Sequence, residues 1–341
     1  MIPRHPPLQD GWIDAPHRGA ALGRFPLESG EAIDDLRLSY VVHGDLDDKS
    51  KPVVLGLCAI GSTHHRLDFL IGAGRALDPA RYTTIVVDAL GNGLSSSPSN
   101  SATQPGERFP RFTIRDMVRS QKRLLEQLGV ASLHAVAGAS MGGMQALQWG
   151  VSYPDAMSRI VALVPMAKTA PWSQALNETA RLALRAGGAG SSAEVDWTAW
   201  VAVTHILAMR SPTRFAADVA DATLDGMHDW LARRTAWWRR QQADPLDWIY
   251  QSRAYDAHDV GTTPGFGGDT ARALAAIRAR TLIAVPRLDL YNPVEAGIWA
   301  AQHIADCQLV QLPSQDGHLA ASEADPETAG RIDREIGAFL A

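Results

Sequence analysis

The sequence has few features of nucleic-acid-binding, membrane-spanning or disulfide-stabilised proteins. Only two of its 341 residues are cysteines, Cys58 and Cys307, so we expect no disulfide framework and a reduced, cytoplasmic setting. A formal net charge of −5 provides no basic surface for nucleic acid. No apolar run approaches the length of a membrane span, and the Pro-rich N-terminus lacks the apolar segment of a signal peptide. The remaining composition is typical of a soluble globular protein.

The segment Val136–Trp149, VAGASMGGMQALQW, has a single reactive hydroxyl, that of Ser140, between Gly138 and Gly142. The spacing G-x-S-x-G is typical of the nucleophile elbow of α/β-hydrolases, a strained turn from a strand into a helix. A short buried strand is predicted before Ser140, and a helical pattern follows until Tyr153. This context favours a nucleophile over an incidental serine in a glycine-rich turn.

Seven apolar runs of strand length alternate with helical patterns along the chain. Runs that are apolar on both faces and separated by helices predict a mostly parallel central sheet with helices on both faces, the arrangement of an α/β-hydrolase fold. The runs cover 36–42, 52–57, 83–89, 132–138, 159–165, 281–286 and 308–313.

The alternation stops between residues 168 and 270. This segment contains several helical patterns, a Gly/Ser linker at 187–192 and seven of the ten tryptophans. We predict that 168–270 is an inserted helical lid and that 1–167 and 271–341 together form the hydrolase core. A separate second domain is less favoured, because the sheet needs the strands on both sides of the insertion.

A serine hydroxyl needs a base, and that base needs an orienting acid. In this fold the order along the chain is serine, acid, histidine, with the acid after a late strand and the histidine near the C-terminus. Asp289 follows the predicted strand at 281–286, and His318 follows the last one. We therefore predict a catalytic triad of Ser140, Asp289 and His318. Asp316 is a weaker alternative for the acid.

An oxyanion hole requires two backbone N–H groups near the nucleophile. One is expected from Met141, the residue after the serine, and the other from the loop that follows the strand at 52–57. Ala59 is the predicted second donor, with Cys58 and Ile60 as alternatives. Cys58 is otherwise interpreted as a buried, unreactive thiol.

No phosphate-binding loop and no zinc-spaced cluster of histidines and cysteines is found, and Gly91–Gly93 is interpreted as a turn. We therefore expect neither a metal nor a cofactor. His64 and His65 are interpreted as polar contacts at the rim of the site, with a solvated loop as the alternative for at least one of them.

The segment GASMGGMQALQW resembles the elbow of the homoserine O-acetyltransferase family of α/β-hydrolases. The resemblance continues in FPRFTIRDMVRSQKRLLEQLG, DALGNGLSSSPSN, AIGSTH and AYDAHDVG, and it covers most of the chain outside the lid. It implies the same triad, an oxyanion hole from Met141 and Ala59, and a homodimer formed through the lid helices.

Three departures from that family affect the acceptor. Leu319 stands where the family has an aspartate after the catalytic histidine, Trp200 where it has a lid arginine, and Leu207 where it has a tyrosine. These three residues are predicted to line an apolar substrate pocket. A zwitterionic acceptor would be buried there without paired charges, which is costly. Arg210 is the alternative partner if the lid alignment is displaced.

These residues predict a carboxylic ester hydrolase that acts on small, rather apolar esters such as acetyl esters through an acyl-serine intermediate. The alternative is an O-acyltransferase of the homoserine O-acetyltransferase type that uses acetyl-CoA. A ligand-binding protein without activity is disfavoured, because the complete set of Ser140, Asp289 and His318 is present.

Overall fold

An eight-stranded sheet crosses the computed structural model, which describes residues 5–190, 194–219, 221 and 223–341. Its order is β1-β2-β4-β3-β5-β6-β7-β8; the pairs β1–β2 and β2–β4 are antiparallel, and β3 to β8 run parallel. The strands are β1 (Arg18–Pro26), β2 (Ala32–His43), β3 (Val53–Leu57), β4 (Thr83–Val87), β5 (Leu133–Ala139), β6 (Met157–Leu163), β7 (Arg280–Val285) and β8 (Cys307–Gln311).

Ten α-helices are found in the described part of the chain. They are α1 (Ile114–Gln127), α2 (Met141–Ser152), α3 (Pro171–Ala186), α4 (Thr198–Val201), α5 (Pro212–Asp218), α6 (Leu224–Arg240), α7 (Pro245–Asp256), α8 (Thr270–Ala275), α9 (Val294–His303) and α10 (Pro326–Leu340). A π-helical turn, Ala202–Ala208, continues α4. No helix among the described residues is long and apolar enough to cross a membrane.

The predicted fold class is confirmed, and each of the seven apolar runs overlaps a strand. All five residues of β4, TTIVV, are buried, which explains why its sequence contains no charged residue and no alternation of buried and exposed positions. The edge strand β1 was not predicted. It alternates small or polar residues with a few buried ones, and its register shifts around Gly23, so its apolar signal is short and broken.

The segment between β6 and β7 contains α3 to α8, and its part from α3 to α7 is closed at both ends by one pair of backbone hydrogen bonds, called here the clasp. The N–H of Thr169 donates to the carbonyl of His258 at 2.9 Å, and the N–H of Val260 donates to that of Ala167 at 2.9 Å. Since β6 and β7 are neighbours in the sheet, the chain leaves and re-enters at almost the same place. The last two positions of the expected Gly/Ser linker, 191 and 192, lie outside the described residues.

Four tryptophans from this segment form a second hydrophobic core. This tryptophan cluster consists of Trp197, Trp200, Trp238 and Trp248, all buried. Trp200 lies at its centre, with ring centroids 4.6 to 5.3 Å from the other three.

Helix α7 joins the tryptophan cluster to the sheet. Its Trp248 belongs to the cluster, whereas Tyr250 and Tyr255 pack in the main core. Part of 168–270 is therefore continuous with the core of the sheet, and it is not a cap that only rests on it.

Candidate active site

Ser140 occupies the turn between β5 and α2 with a strained backbone, φ 58° and ψ −123°. A Cβ on Gly138 would overlap the backbone of Gly142, and one on Gly142 would overlap the carbonyl of Leu57. Only glycine at both positions lets strand and helix approach this closely. The Ser140 N–H donates to the carbonyl of Leu163 at 2.9 Å, which ties the turn to β6.

His318 lies on a short 3₁₀ turn, Gly317–Ala321, after β8. Its Nε2 is 2.8 Å from Ser140 Oγ, and its Nδ1 is 2.7 Å from Asp289 Oδ2. All three side chains are buried. With the Nδ1 proton held by the carboxylate, Nε2 is free to accept the hydroxyl proton.

Asp289 follows β7 and is fixed by its own loop. Its Oδ1 accepts hydrogen bonds from the N–H groups of Tyr291 at 2.8 Å and Asn292 at 2.9 Å. The other oxygen therefore faces His318. The alternative acid, Asp316, does not contact this histidine, since Oδ1 pairs with Arg214 at 3.3 Å.

Two tyrosines and an amide support the imidazole, and none was singled out from the sequence. The ring of Tyr291 lies 5.1 Å from that of His318 and stacks on Tyr255. The hydroxyl of Tyr255 donates to Asn292 Oδ1, and Asn292 Nδ2 donates to the carbonyl of Val164 at 2.7 Å. Burial raises the pKa of both tyrosines, so they remain neutral packing groups.

The two predicted oxyanion donors lie on elements that pack together. Met141 is the first residue of α2, where a helical N–H has no partner within its own helix. Ala59 is buried in the loop after β3. Because the carbonyl of Leu57 lies beside Gly142, the end of β3 and the start of α2 are in contact.

A buried glutamine, Gln145, connects the two segments that supply these donors, and the sequence analysis did not identify it. Gln145 Nε2 donates to the carbonyls of Cys58 at 3.1 Å and Met141 at 3.2 Å. In a trans peptide the C=O and N–H point in opposite directions. Gln145 therefore fixes the Cys58–Ala59 peptide so that the Ala59 N–H points away from the glutamine.

Gln145 is itself held by two further buried side chains. Its Oε1 accepts from Gln121 Nε2 at 2.6 Å, and Gln121 Oε1 accepts from Trp149 Nε1 at 2.8 Å. A fully bonded buried network of this kind is rigid. The M-Q-A-L-Q-W stretch contains both Gln145 and Trp149, so a polar residue on a buried helix was the available signal.

The helical insertion covers the loop that contains Ala59. The rings of Trp238 and Trp248 pack over Gly61, and the Gly61 N–H donates to Gln251 Oε1 at 3.0 Å. One wall beside the predicted oxyanion loop is therefore aromatic.

The three predicted pocket residues have different surroundings. Trp200 is 2% exposed within the tryptophan cluster, and Leu319 is half-buried, with its N–H bonded to the carbonyl of Met209 in the insertion. Leu207 is 57% exposed. A side chain that points to solvent does not line a buried pocket, so the pocket proposed below omits Leu207.

Arg210 is not available to grip a substrate carboxylate. Its Nε lies 2.7 Å from Asp218 Oδ2, and its Nη1 donates to the carbonyl of His205 at 2.6 Å. Its guanidinium also lies over the ring of Trp230, 4.8 Å from the ring centroid. The alternative in which Arg210 replaces the family's lid arginine loses support.

Two other residues of the loop after β3 have roles that differ from the expectation. His64 and His65 are both buried, at 1% and 5% exposure, so the solvated-loop alternative was wrong. His64 contacts Asp88, and His65 contacts Asp68.

Cys58 is buried as expected, and its thiol donates to a backbone carbonyl. Burial raises the pKa of that thiol, which makes it unreactive.

Comparisons with known proteins agree with this fold. A family model described as the alpha/beta hydrolase fold matches residues 54–186. An ethyl acetate hydrolase from Pseudomonas veronii is 30% identical and covers 94% of both chains. A crystal structure of an acetylester hydrolase from Corynebacterium glutamicum has a TM-score of 0.86 at 26% identity, covering 95% of this chain and 96% of that one.

A strand-turn-helix serine followed by an acid and a histidine on later loops defines the class of this protein. The chain belongs to the α/β-hydrolase family. Within that family it is similar over almost its whole length to the two ester hydrolases above. It is also similar to a homoserine O-acetyltransferase from Methanococcoides burtonii, at 28% identity over 93% of this chain and 72% of that one, in agreement with the resemblance seen in the sequence.

Proposed function

We propose that the protein is a serine carboxylic ester hydrolase that acts on small, apolar esters with short acyl chains, such as acetyl esters. The observation that carries the proposal is the hydrogen-bonded series Ser140–His318–Asp289, with distances of 2.8 and 2.7 Å. The similarity to an ethyl acetate hydrolase and an acetylester hydrolase supports the substrate class.

In the proposed mechanism Ser140 Oγ bonds to the ester carbonyl carbon as its proton passes to His318 Nε2. The N–H groups of Met141 and Ala59 bind the oxyanion of the tetrahedral intermediate. The bond from carbon to the alcohol oxygen then breaks, and His318 gives its proton to the departing alcohol. Water repeats both steps on the acyl-serine, releasing the acid and restoring Ser140.

The acyl pocket is proposed to be apolar and to lie against the aromatic wall of the insertion, with Trp200 behind it and Leu319 at its edge. We propose that residues 168–270 act as its lid. Support comes from the packing of Trp238 and Trp248 over Gly61, beside the predicted oxyanion donor.

The experiment that tests the function is hydrolysis of p-nitrophenyl acetate by wild type and Ser140→Ala. We expect at least about a 10⁴-fold loss of kcat, because the attacking atom is removed. Ser152→Ala, a serine at the end of the same helix, should retain activity. A phosphonate ester should add its mass to Ser140 alone. Labelling of another residue, or full activity of Ser140→Ala, contradicts the assignment.

The competing function is an O-acyltransferase that uses acetyl-CoA. It needs charged groups to hold a zwitterionic acceptor, whereas Trp200 is enclosed by aromatic rings and Arg210 is bonded to Asp218. With acetyl-CoA and homoserine supplied together, wild type should release at least tenfold less O-acetylhomoserine than it hydrolyses short aryl esters. A faster transfer reaction favours the acyltransferase.

We also propose that the protein forms a homodimer through the helices of the insertion. Large apolar side chains on these elements are exposed by 54% to 67%, namely Trp172, Leu182, Leu207 and Leu224. Sedimentation of wild type and Leu207→Glu tests this, with a monomer expected for the variant. A wild type that sediments as a monomer contradicts it.

A cytoplasmic location also stays a proposal, based on two cysteines that form no disulfide.

A further inference from the structure

Four histidines that are far apart in the sequence meet beside the loop after β3. His5 and His17 come from the N-terminal segment, and His64 and His65 begin the 3₁₀ turn His64–Leu70. Ring centroids are 4.8 Å apart for His5 and His17, 4.4 Å for His17 and His64, and 4.1 Å for His64 and His65. We call these four residues the histidine cluster. The proposed ester hydrolysis uses none of them.

Two buried carboxylates bind the Nδ1 sides of the histidines on the turn. His64 Nδ1 is 3.2 Å from Asp88 Oδ2, and His65 Nδ1 is 2.6 Å from Asp68 Oδ2. A carboxylate accepts a hydrogen bond, so the nitrogen that faces it carries the proton and the lone pair of each neutral ring is on Nε2. Such carboxylate–histidine pairs are the usual support of metal-ligating imidazoles.

The hydrogen bonds also fix the orientation of His17. Its Nδ1 is 3.3 Å from Ser39 Oγ, and that hydroxyl donates its only proton to Asp88 Oδ2 at 2.8 Å. Ser39 must therefore accept from His17 Nδ1, which leaves the His17 Nε2 lone pair free. Asp88 thus orients both rings, that of His64 directly and that of His17 through Ser39.

Three of these imidazoles converge on one point. One ring nitrogen from each of His5, His17 and His64 lies within 4.8 Å of the others. His64 Nε2 is buried and has no hydrogen-bond partner in the described part of the chain, although a buried polar atom normally has one. His5 Nε2 and His65 Nε2 are 2.9 Å apart, so a fourth imidazole borders the same space.

We propose that the histidine cluster binds one divalent transition-metal ion, preferably Zn²⁺, through His5, His17 and His64, with His65 or water as the fourth ligand. Zn–N bonds of about 2.0–2.1 Å in a tetrahedron separate nitrogens by about 3.4 Å, so the most distant pair of nitrogens needs to close by about 1.4 Å from 4.8 Å. Neutral imidazoles suit Zn²⁺ and similar ions, and Mg²⁺ and Ca²⁺ prefer oxygen ligands.

The charges around the cluster favour a cation. The carboxylate of Asp88 lies beside His64 Nδ1 and that of Asp68 beside His65 Nδ1, and carboxylates placed behind imidazoles in this way suit a bound divalent cation.

The ion would act as a structural link. It would fasten the N-terminal segment to the turn at His64, a few residues after the predicted oxyanion donor Ala59 on the same loop. The expectation of no metal relied on short spacings between ligands in the sequence. These ligands come from separate segments, so the spacing rule could not detect them.

The test uses the untagged, full-length chain, stripped with a chelator and titrated with ZnCl₂ against a chromophoric chelator. Wild type and His228→Ala, which removes an exposed histidine on α6, should each bind one Zn²⁺ with the same affinity. His17→Ala and His5→Ala should each bind at least tenfold more weakly. Ser39→Ala, which removes the support of His17 together with one hydrogen bond to Asp88, should lose about 10- to 100-fold in affinity.

Two further measurements separate a failed fold from a missing site. The stripped His17→Ala protein should keep wild-type ester hydrolysis and circular dichroism, because His17 is exposed and outside the proposed triad. Zn²⁺ should raise Tm in wild type and not in this variant. Weak binding by wild type, or equal binding by wild type and His17→Ala, overturns the proposal, whereas the ester hydrolase assignment would stand.

Discussion

The catalytic triad and the helical insertion differ in how their buried polar atoms are bonded. Each polar atom of Ser140, His318 and Asp289 described above has a hydrogen-bond partner. In the insertion, five buried side-chain atoms have none in the described part of the chain, namely Trp200 Nε1, His205 Nε2, Thr235 Oγ1, Trp238 Nε1 and His258 Nε2. Each such atom costs about 1–3 kcal/mol, so the tryptophan cluster is stabilised by apolar burial.

This difference indicates a division of labour. A bonded network fixes atoms to within fractions of an ångström, as proton transfer and oxyanion binding require. Apolar packing without directional bonds can adjust to substrates of different shape. Substitutions in the bonded network around the triad should therefore reduce the rate by orders of magnitude. Substitutions in the insertion should mainly alter which ester is preferred.

The largest effect is expected for Asp289→Asn. An amide cannot hold the His318 Nδ1 proton in the same way, and kcat should fall by about 10⁴-fold. Asp316→Asn is the matched control, because Asp316 lies two residues from His318 but pairs with Arg214. Steady-state hydrolysis of p-nitrophenyl acetate measures both. If the control loses as much as the variant, the proposed acid is wrong.

Gln145→Met should lower kcat by about 10- to 100-fold with little change in KM. The variant releases the carbonyl of Cys58, so the N–H of Ala59, which belongs to the same peptide unit, is no longer held in place in the oxyanion hole. Gln148→Met removes another buried glutamine of α2, which bonds to Ser152 and Thr263. It should lose stability but keep kcat. Equal kcat in both variants would reduce Gln145 to an ordinary core residue.

Trp200→Arg tests the insertion. An unpaired guanidinium among buried rings costs about 3–5 kcal/mol, so the cluster should loosen and kcat/KM for apolar esters should fall by about tenfold. Trp200→Phe, which keeps an aromatic ring, should stay within a few-fold of wild type and shift the preference between acetate and butyrate esters. Improved acetylation of homoserine by Trp200→Arg would instead favour the acyltransferase.

The smallest effect concerns Asp247, which joins α7 to the loop after β4 by accepting hydrogen bonds from the Ser99 N–H and hydroxyl. Burial, aided by Asp244, raises the pKa of Asp247 to about 7. The folded state thus holds this proton more tightly than the unfolded one. The associated stability is complete below about pH 4 and is lost as the pH rises through about 7.

Asp247→Asn should remove this pH dependence and increase the free energy of unfolding at pH 8 by about 1–3 kcal/mol. Urea unfolding at pH 5 and pH 8 measures the difference. Asp229→Asn, an exposed carboxylate on α6, should leave both values unchanged. If the gain in stability of Asp247→Asn over wild type is larger at pH 5 than at pH 8, the predicted sign is wrong.

The sequence was sufficient to predict the parts that depend on local pattern. Strands β2 to β8 and the elbow at Ser140 follow from apolar runs and glycine spacing, and the chain order of the fold points to Asp289 and His318. Contacts between distant segments were not predictable in this way. Gln145 reaches the loop of Ala59, and His17 meets His64, only after the chain has folded.

The tryptophans of 168–270 led to the prediction of a lid, but the sequence did not predict which side chains of that segment are buried. Trp200 packs among other rings, whereas Leu207, a few residues further along the same helical turn, points to solvent. Leu207 lies in the π-helical turn Ala202–Ala208, which begins after Trp200. A π-helix has a different rotation per residue, so the face of a side chain there cannot be predicted from 3.6 residues per turn.

The clasp at Thr169 and Val260 makes the insertion exchangeable. Both ends are joined by hydrogen bonds between their own backbones, so the neighbouring strands β6 and β7 do not register what lies between them. Doubling the length of a closed loop costs only about 0.6 kcal/mol of chain entropy. The part from α3 to α6 could therefore be exchanged, and with it the acceptor, at little cost to the sheet, provided that α7 keeps its contacts in the main core. A chimaera grafted between residues 169 and 244, with α7 retained, puts this to the test.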